Sequence, residues 1–268
     1  MSSDQPDRNT ANAGDSLPTV QIRFYEELND FLPAEQCKEP VTRTILGGPS
    51  VKDVIESCGV PHTEIELIVV DGESVGFDYH VAGGERIAVY PVFESLDVSP
   101  LVRLRDRPLR HTSFVVDVNL GRLARLLRLL GFDAAYRSEL DDAGIARLSA
   151  EEHRVILTRD RGLLMRRIVS HGYYVRSQLP REQAAEVLAR LDLTGEVRSF
   201  SRCTECNGRI VPREKGEVLH LLPENTRRFY NEFFQCEQCG KVFWHGAHWE
   251  NLQELIQNIT MRAAALRP

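Results

Sequence analysis

Two aspartates in this 268-residue chain stand directly after short apolar runs. Phe114-Val115-Val116 leads into Asp117, and Val155-Ile156-Leu157 leads through Thr158-Arg159 into Asp160. Runs of this kind read as buried strands. Each acid therefore falls at a strand's carboxyl end, where ligands bind in open parallel sheets. Between them, Asp142 opens a helical pattern carried by Ile145 and Leu148. Three carboxylates brought to one cleft make an oxygen-only donor set. That set suits Mg²⁺ or Mn²⁺, which keep several waters and bind through few carboxylates plus substrate phosphates. Asp117 also has a simpler reading, as the N-cap of the helix that follows it.

A second kind of chemistry lies further on. Cys203-Thr-Glu-Cys206 and Cys236-Glu-Gln-Cys239 are two CxxC pairs, with Asn207-Gly208 and Gly240 supplying turns. Four thiolates in a closed tetrahedral shell predict structural zinc. The stretch between the pairs, about 30 residues, predicts a zinc ribbon with a helical insertion over Pro223 to Phe234. His245, His248, Trp244 and Trp249 follow. The tryptophans read as ribbon core or, less economically, as a base-stacking surface.

The elements that must position these groups are legible in outline. After Asp117, Leu120, Leu123, Leu126, Leu127 and Leu130 recur at helical spacing up to a stop at Gly131. Arg122, Arg125 and Arg128 recur every three residues on that helix, as a solvated face or a phosphate track. Arg159 and Arg161 flank Asp160 and are placed to position substrate phosphate; Thr158 could bond a metal-bound water. Upstream, Thr19 to Tyr25 alternates as a strand, and Ser50 caps a helix that Gly59 stops. Ile65 to Val70 and Arg86 to Pro91 are further strands. Two strands, a helix and then more strands is the order of a β-grasp.

Composition bounds the rest. No apolar run reaches the roughly 18 residues that a membrane span needs. The polar, acid-containing start is not a signal peptide, and six cysteines without an export signal fit a reducing, cytoplasmic setting. The net charge of −6 conceals an asymmetry. Residues 1–99 carry 6 basic and 18 acidic side chains, whereas residues 110–202 carry 16 basic and 12 acidic, every basic one an arginine. Local positive charge of that kind is a nucleic-acid signal.

The combination VVDVNLGRLARLLRLLGFDA, ILTRDRGLL and a four-cysteine module is similar to the Mut-seven C-terminal RNase domain family, over roughly Ser113 to Ile256. The strand-acid pattern resembles the PIN-like nucleases more broadly. RFYEELNDFLP, SVKDVIESCGVPHTEIELIVVDG and ERIAVYPVFE resemble the ubiquitin-like domain often joined to that family. The resemblance implies an α/β chain in five parts: a tail (1–18), a ubiquitin-like β-grasp domain (19–98), a linker (99–111), a PIN-like parallel-sheet RNase domain (112–200), and a zinc ribbon with a C-terminal helix (201–268). It implies Mg²⁺- or Mn²⁺-dependent RNA hydrolysis at Asp117, Asp142 and Asp160, with Asp141 and Glu139 as candidates for the fourth acid usual in such sites. It also implies structural zinc on the four cysteines, RNA as partner, and a protein partner or a restraining role for the acidic β-grasp domain. The last strand of that domain runs into Pro91-Val92-Phe93 without a Gly-Gly end, so sulfur-carrier chemistry is not expected. The rival reading is a nucleic-acid-binding or adaptor protein with a weak catalytic site.

Overall fold

The computed structural model describes residues 17–91 and 112–266; the expected linker and nearly all of the expected tail lie outside the described residues. The first unit comprises β1 (Thr19–Phe24), β2 (Val41–Thr44), α1 (Val51–Glu56), β3 (Ile65–Val70), β4 (Glu73–Val75) and β5 (Arg86–Pro91). Strand order is β2-β1-β5-β3-β4, with β1 and β5 parallel and the other pairs antiparallel. That is the β-grasp arrangement. Its alternation is plain in β1, where Val20, Ile22 and Phe24 are buried and Thr19, Gln21 and Arg23 are exposed. Ser50 caps α1 as its sequence predicts: its hydroxyl oxygen accepts the Asp53 N–H at 3.1 Å and its O–H donates to the Asp53 carboxylate at 2.6 Å.

The second unit comprises β6 (Ser113–Val116), α2 (Gly121–Leu129), β7 (Asp133–Ala135), α3 (Asp142–Glu152), β8 (Val155–Thr158), α4 (Arg161–Leu164), β9 (Gly172–Tyr174) and α5 (Pro180–Arg190). All four strands are parallel, in the order β7-β6-β8-β9. The central strands are buried on both faces, as parallel strands between helices must be, and so read as unbroken apolar runs. The chain winds outward from β6 to β7, then crosses back to β8. The topological switch point therefore lies between β6 and β8.

A third unit holds β10 (Ile210–Arg213), α6 (Lys215–Val218), α7 (Glu224–Phe229), β11 (Phe233–Cys236) and β12 (Val242–Trp244), with β10-β11-β12 antiparallel. The expected helix over Pro223 to Phe234 is corrected at its end. It stops at Phe229, and Phe233 and Phe234 open β11, where pairing with β10 and β12 overrides a weak local preference. The last helix, α8 (Trp249–Ala265), returns to the second unit and buries Ile256, Ile259 and Ala263 in its core.

The β-grasp unit is docked on β9, the edge of the parallel sheet. Glu64 is buried and accepts the Tyr174 N–H at 2.7 Å, which closes that edge. Arg176 reaches the carboxylates of Asp30 (2.9 Å) and Glu64 (3.3 Å) and lies over the rings of Phe31 and Tyr173. Arg190 pairs with Glu27 at 2.6 Å, and a ring nitrogen of His62 lies 2.8 Å from the Val169 carbonyl. Burial pushes the Glu64 carboxyl up, against the pull of Arg176 and the Tyr174 N–H. Arg176→Ala would strand that buried carboxylate, so it should destabilise the protein by about 3 kcal/mol. Arg176→Ala combined with Glu64→Gln should recover part of the loss. Urea unfolding of the three proteins checks this; equal midpoints for the single variant and the wild type would refute it.

Candidate active site at the sheet switch point

Asp117 follows β6 and Asp160 follows β8, so both acids stand at the carboxyl ends of the two strands that flank the switch point. A buried hydroxyl joins them. Thr158 donates its O–H to Asp117 Oδ2 and accepts the backbone N–H of Asp160 at 2.9 Å. Thr158 is fully buried and Asp117 is 4% exposed. The other Asp117 oxygen accepts the Asn119 N–H at 3.0 Å, as the capping reading expects. Asp160 caps α4 through its Oδ1, which accepts from Gly162 N (2.7 Å) and Leu163 N (3.4 Å). Its second oxygen is left for other partners.

Asp142 is the first residue of α3, with a half-exposed carboxylate 3.9 Å from the Arg166 guanidinium. Of the fourth-acid candidates, Asp141 is the N-cap of α3, its Oδ1 accepting the Gly144 N–H at 2.8 Å. Glu139 is exposed beside Ser138. Among the described residues, the four cysteines are the one group of three or more metal-ligating side chains within mutual reach. The three aspartates expected in one cleft do not form such a group: Asp117 and Asp160 are linked through Thr158, and Asp142 stands apart at the start of α3 beside Arg166. Carboxylate oxygens are the donor type that Mg²⁺ or Mn²⁺ takes alongside waters and substrate oxygens.

The arginines divide. Arg122 is exposed, and Arg125 is exposed with Glu205 3.5 Å away. Arg128 is not on a phosphate track. It is buried, donating to the Ala134 carbonyl at 2.9 Å and to those of Thr204 and Glu205 at 3.3 and 2.8 Å. Desolvation lowers its pKa, offset by the nearby Cys206 and Cys203. Arg159 points its Nη1 at the carbonyls of Arg176 and Ser177, 3.0 and 2.6 Å away. Arg161, expected beside substrate phosphate, turns instead to the β-grasp unit. It donates to the Phe31 and Asp30 carbonyls and lies over Phe31 and Tyr174. Acceptors some 130 residues upstream gave no local signal.

Asp133 is a structural group that the sequence did not single out. At the start of β7 it accepts from Arg154 (2.6 Å) and Asn207 (2.8 Å) and pairs with Arg202 (3.2 Å), tying the sheet to the first cysteine knuckle. Desolvation would raise its carboxyl, but these partners outweigh it and hold it below the usual carboxylate range. A depressed carboxylate contributes stability that is present above its unfolded value of about 3.9 and is lost as pH falls through the folded one. Asp133→Asn should therefore cost about 2 kcal/mol at neutral pH, with the gap to wild type closing below about pH 4. Urea unfolding at both pH values checks it.

In the cysteine cluster, Cys203 and Cys239 sulfurs lie 3.7 Å apart and those of Cys206 and Cys236 3.4 Å apart. All four lie within 4.8 Å of one another. Sulfurs 2.3 Å from a tetrahedral zinc would be about 3.8 Å apart, so the set fits that ion. The knuckles are shaped by Asn207 at φ +72° and Gly240 at φ +74°. At Gly208, a Cβ would come within 2.8 Å of Cys236 Sγ. Desolvation would raise the Cys236 thiol, yet the N–H groups of Cys239 and Gln238, with Cys206, hold it at about 7.

A doubly wound parallel sheet with acids at its switch point is thus joined to a four-cysteine module. The Mut7-C RNAse domain model matches residues 112–256 and the Mut7-C ubiquitin model matches residues 17–97, so the chain belongs to the Mut7-C RNAse domain family. No curated protein and no solved structure matches it. No helix of the described residues is long and apolar enough to cross a membrane.

Proposed function

We propose that this chain is a Mg²⁺- or Mn²⁺-dependent ribonuclease that hydrolyses RNA phosphodiester bonds at the β6/β8 switch point. The observation that carries the reading is the pair Asp117 and Asp160, set at neighbouring strand ends and linked through the Thr158 hydroxyl. Asp117, Asp160 and Asp142 would hold the cation. Bound there, it would supply Lewis acidity and neutralise charge developing on the phosphate. Thr158 orients the Asp117 carboxylate by hydrogen bonding. The α4 cap fixes one oxygen of Asp160 and leaves the other toward the crevice. Arg122, five residues past Asp117, would draw the RNA backbone to the site. Zinc on the four cysteines would have a structural role, and the acidic β-grasp unit would restrain the nuclease or recruit a partner.

A second reading, a nucleic-acid-binding or adaptor protein, draws on the open spacing of the acids and the Asp142–Arg166 contact. Incubating reduced, zinc-loaded protein with a mixed RNA pool separates the two. Shortening that requires added Mn²⁺ or Mg²⁺ is expected. Intact RNA with either cation would overturn the nuclease reading and leave the adaptor one.

A further inference from the structure

Away from the aspartates, α2, the start of α5, the first turns of α8 and the strands β10–β12 enclose a groove of about 1030 Å³. One wall is built from rings. Phe200 stacks on Trp249 with centroids 4.1 Å apart, Trp249 lies 3.8 Å from His245, and His245 lies 5.5 Å from Phe234. Phe243 and Trp244 extend the wall, and all six residues are only half-buried. Four arginines line the groove: Arg125 and Arg202 are paired with Glu205 and Asp133, whereas Arg122 and Arg181 are exposed, and the one lining acid, Glu182, is paired with Arg262. Arg122 and Arg181 make no hydrogen bond or ion pair among the described residues.

We infer that this groove is a binding site for single-stranded RNA, with unpaired bases stacked along the ring wall and the phosphates on the arginine rim. The inference rests on the ribonuclease reading for the identity of the strand, but its chemistry is independent of the aspartates. Aromatic faces accept any base, and arginines along the same track neutralise the backbone. Geometry joins the groove to the candidate active site. Arg122 lies in the first turn of α2, just beyond Asp117, and Arg181 lies in the first turn of α5, just beyond β9. Helices of a parallel α/β unit begin at the carboxyl edge of the sheet, so the groove opens on the edge that carries Asp117 and Asp160. It then runs along α2 to Leu129, about 10 Å at the rise of an α-helix. A strand held there would be fed toward the acids with its bases already unpaired, so the protein should prefer unstructured RNA to duplex.

The chain has two tryptophans, Trp244 and Trp249, and both line this groove. They provide a direct readout with the full-length, zinc-loaded protein and a short labelled oligouridylate, without added Mg²⁺ or Mn²⁺. Binding should quench tryptophan emission, and an RNA duplex of equal length should bind more weakly. Phe243→Ala should weaken binding about 5- to 100-fold, the range for loss of one stacking partner. Arg181→Ala, at an exposed side chain without a partner, should lower the slope of log affinity against log salt by about 1. Labelled RNA that binds while emission and both variants stay at wild-type values would place the strand elsewhere and overturn the groove, whatever the cleavage assay gives. Concentration-dependent dimerisation that shifts tryptophan emission, with no RNA affinity, would give the groove to a second copy and also overturn it. Quenching and weakened variants in a protein that never cuts RNA would keep the groove and remove the nuclease.

Discussion

Asp160→Asn should leave a folded protein whose metal-dependent RNA cleavage has fallen on the order of 10³-fold, and Asp117→Asn should do the same. The structure explains why stability should barely follow at position 160. Asn is as good an N-cap as Asp, so the carbonyl oxygen at position 160 can still accept from Gly162 and Leu163. At position 117 both carboxylate oxygens accept, so the single oxygen of an amide can serve the Thr158 O–H or the Asn119 N–H but not both, and Asp117→Asn should cost about 1 kcal/mol besides the charge. Truncation is another matter. Asp117→Ala would leave the buried Thr158 hydroxyl without its acceptor, at a cost of about 1–3 kcal/mol. The discriminating measurement is therefore the cleavage rate with Mn²⁺ beside the melting temperature, for the two Asn variants and Asp117→Ala. Asn variants that stay folded and lose activity identify metal ligands. An Asn variant that cuts at the wild-type rate removes its residue from the site.

These acids were legible in the sequence because their signal is local. A fully buried parallel strand must be apolar throughout, and the first polar residue after it marks the carboxyl end. Asp117 and Asp160 are found that way with no knowledge of what surrounds them. The cysteine pairs are legible for a similar reason, since a knuckle needs its ligands and turn residues within a few positions. The arginines are not legible. Arg122 and Arg128 belong to one run of arginines at three-residue spacing, yet one is exposed and the other is buried among carbonyls from Thr204 and Glu205. Arg161 stands next to Asp160 in sequence and turns to Phe31 in space. Arg176 has no motif around it and became the centre of the interdomain contact only through Asp30 and Glu64. In each case the partner lies far along the chain, and an arginine's long side chain lets tertiary structure choose among several directions. The end of the expected insertion helix was misplaced for the same reason, because Phe233 and Phe234 take strand form from the neighbours they pair with.

Freshly purified, reduced protein should contain one zinc per chain, and stripping it should unfold β10–β12 while the parallel-sheet unit stays folded. The apolar core of the cysteine module is small: Val218, Leu222 and Phe233 are its buried members, with Tyr230, Val242 and Trp244 packed against them. So small a core cannot offset the conformational entropy of ordering its strands and loops. Metal binding must make up the difference, and for zinc modules of this kind it supplies about 10–16 kcal/mol of apparent free energy at neutral pH. The parallel-sheet unit has no such dependence. Its core takes in Leu123, Leu127, Leu157 and Leu188, and the later turns of α8 contribute Ile256, Ile259 and Ala263. Chelation should therefore abolish amide protection in β10–β12 and spare it in β6, β8 and the second half of α8. Arg128 would then lose the Thr204 and Glu205 carbonyls that satisfy its buried guanidinium, so α2 should loosen toward its carboxyl end. Cys206→Ser should reproduce both effects without a chelator. Because Phe234, Phe243 and Trp244 stand on these strands, single-strand affinity should fall with the zinc content. Elemental analysis that finds no zinc, or protection in β10–β12 that survives its removal, would show that the four cysteines hold the module together in some other way.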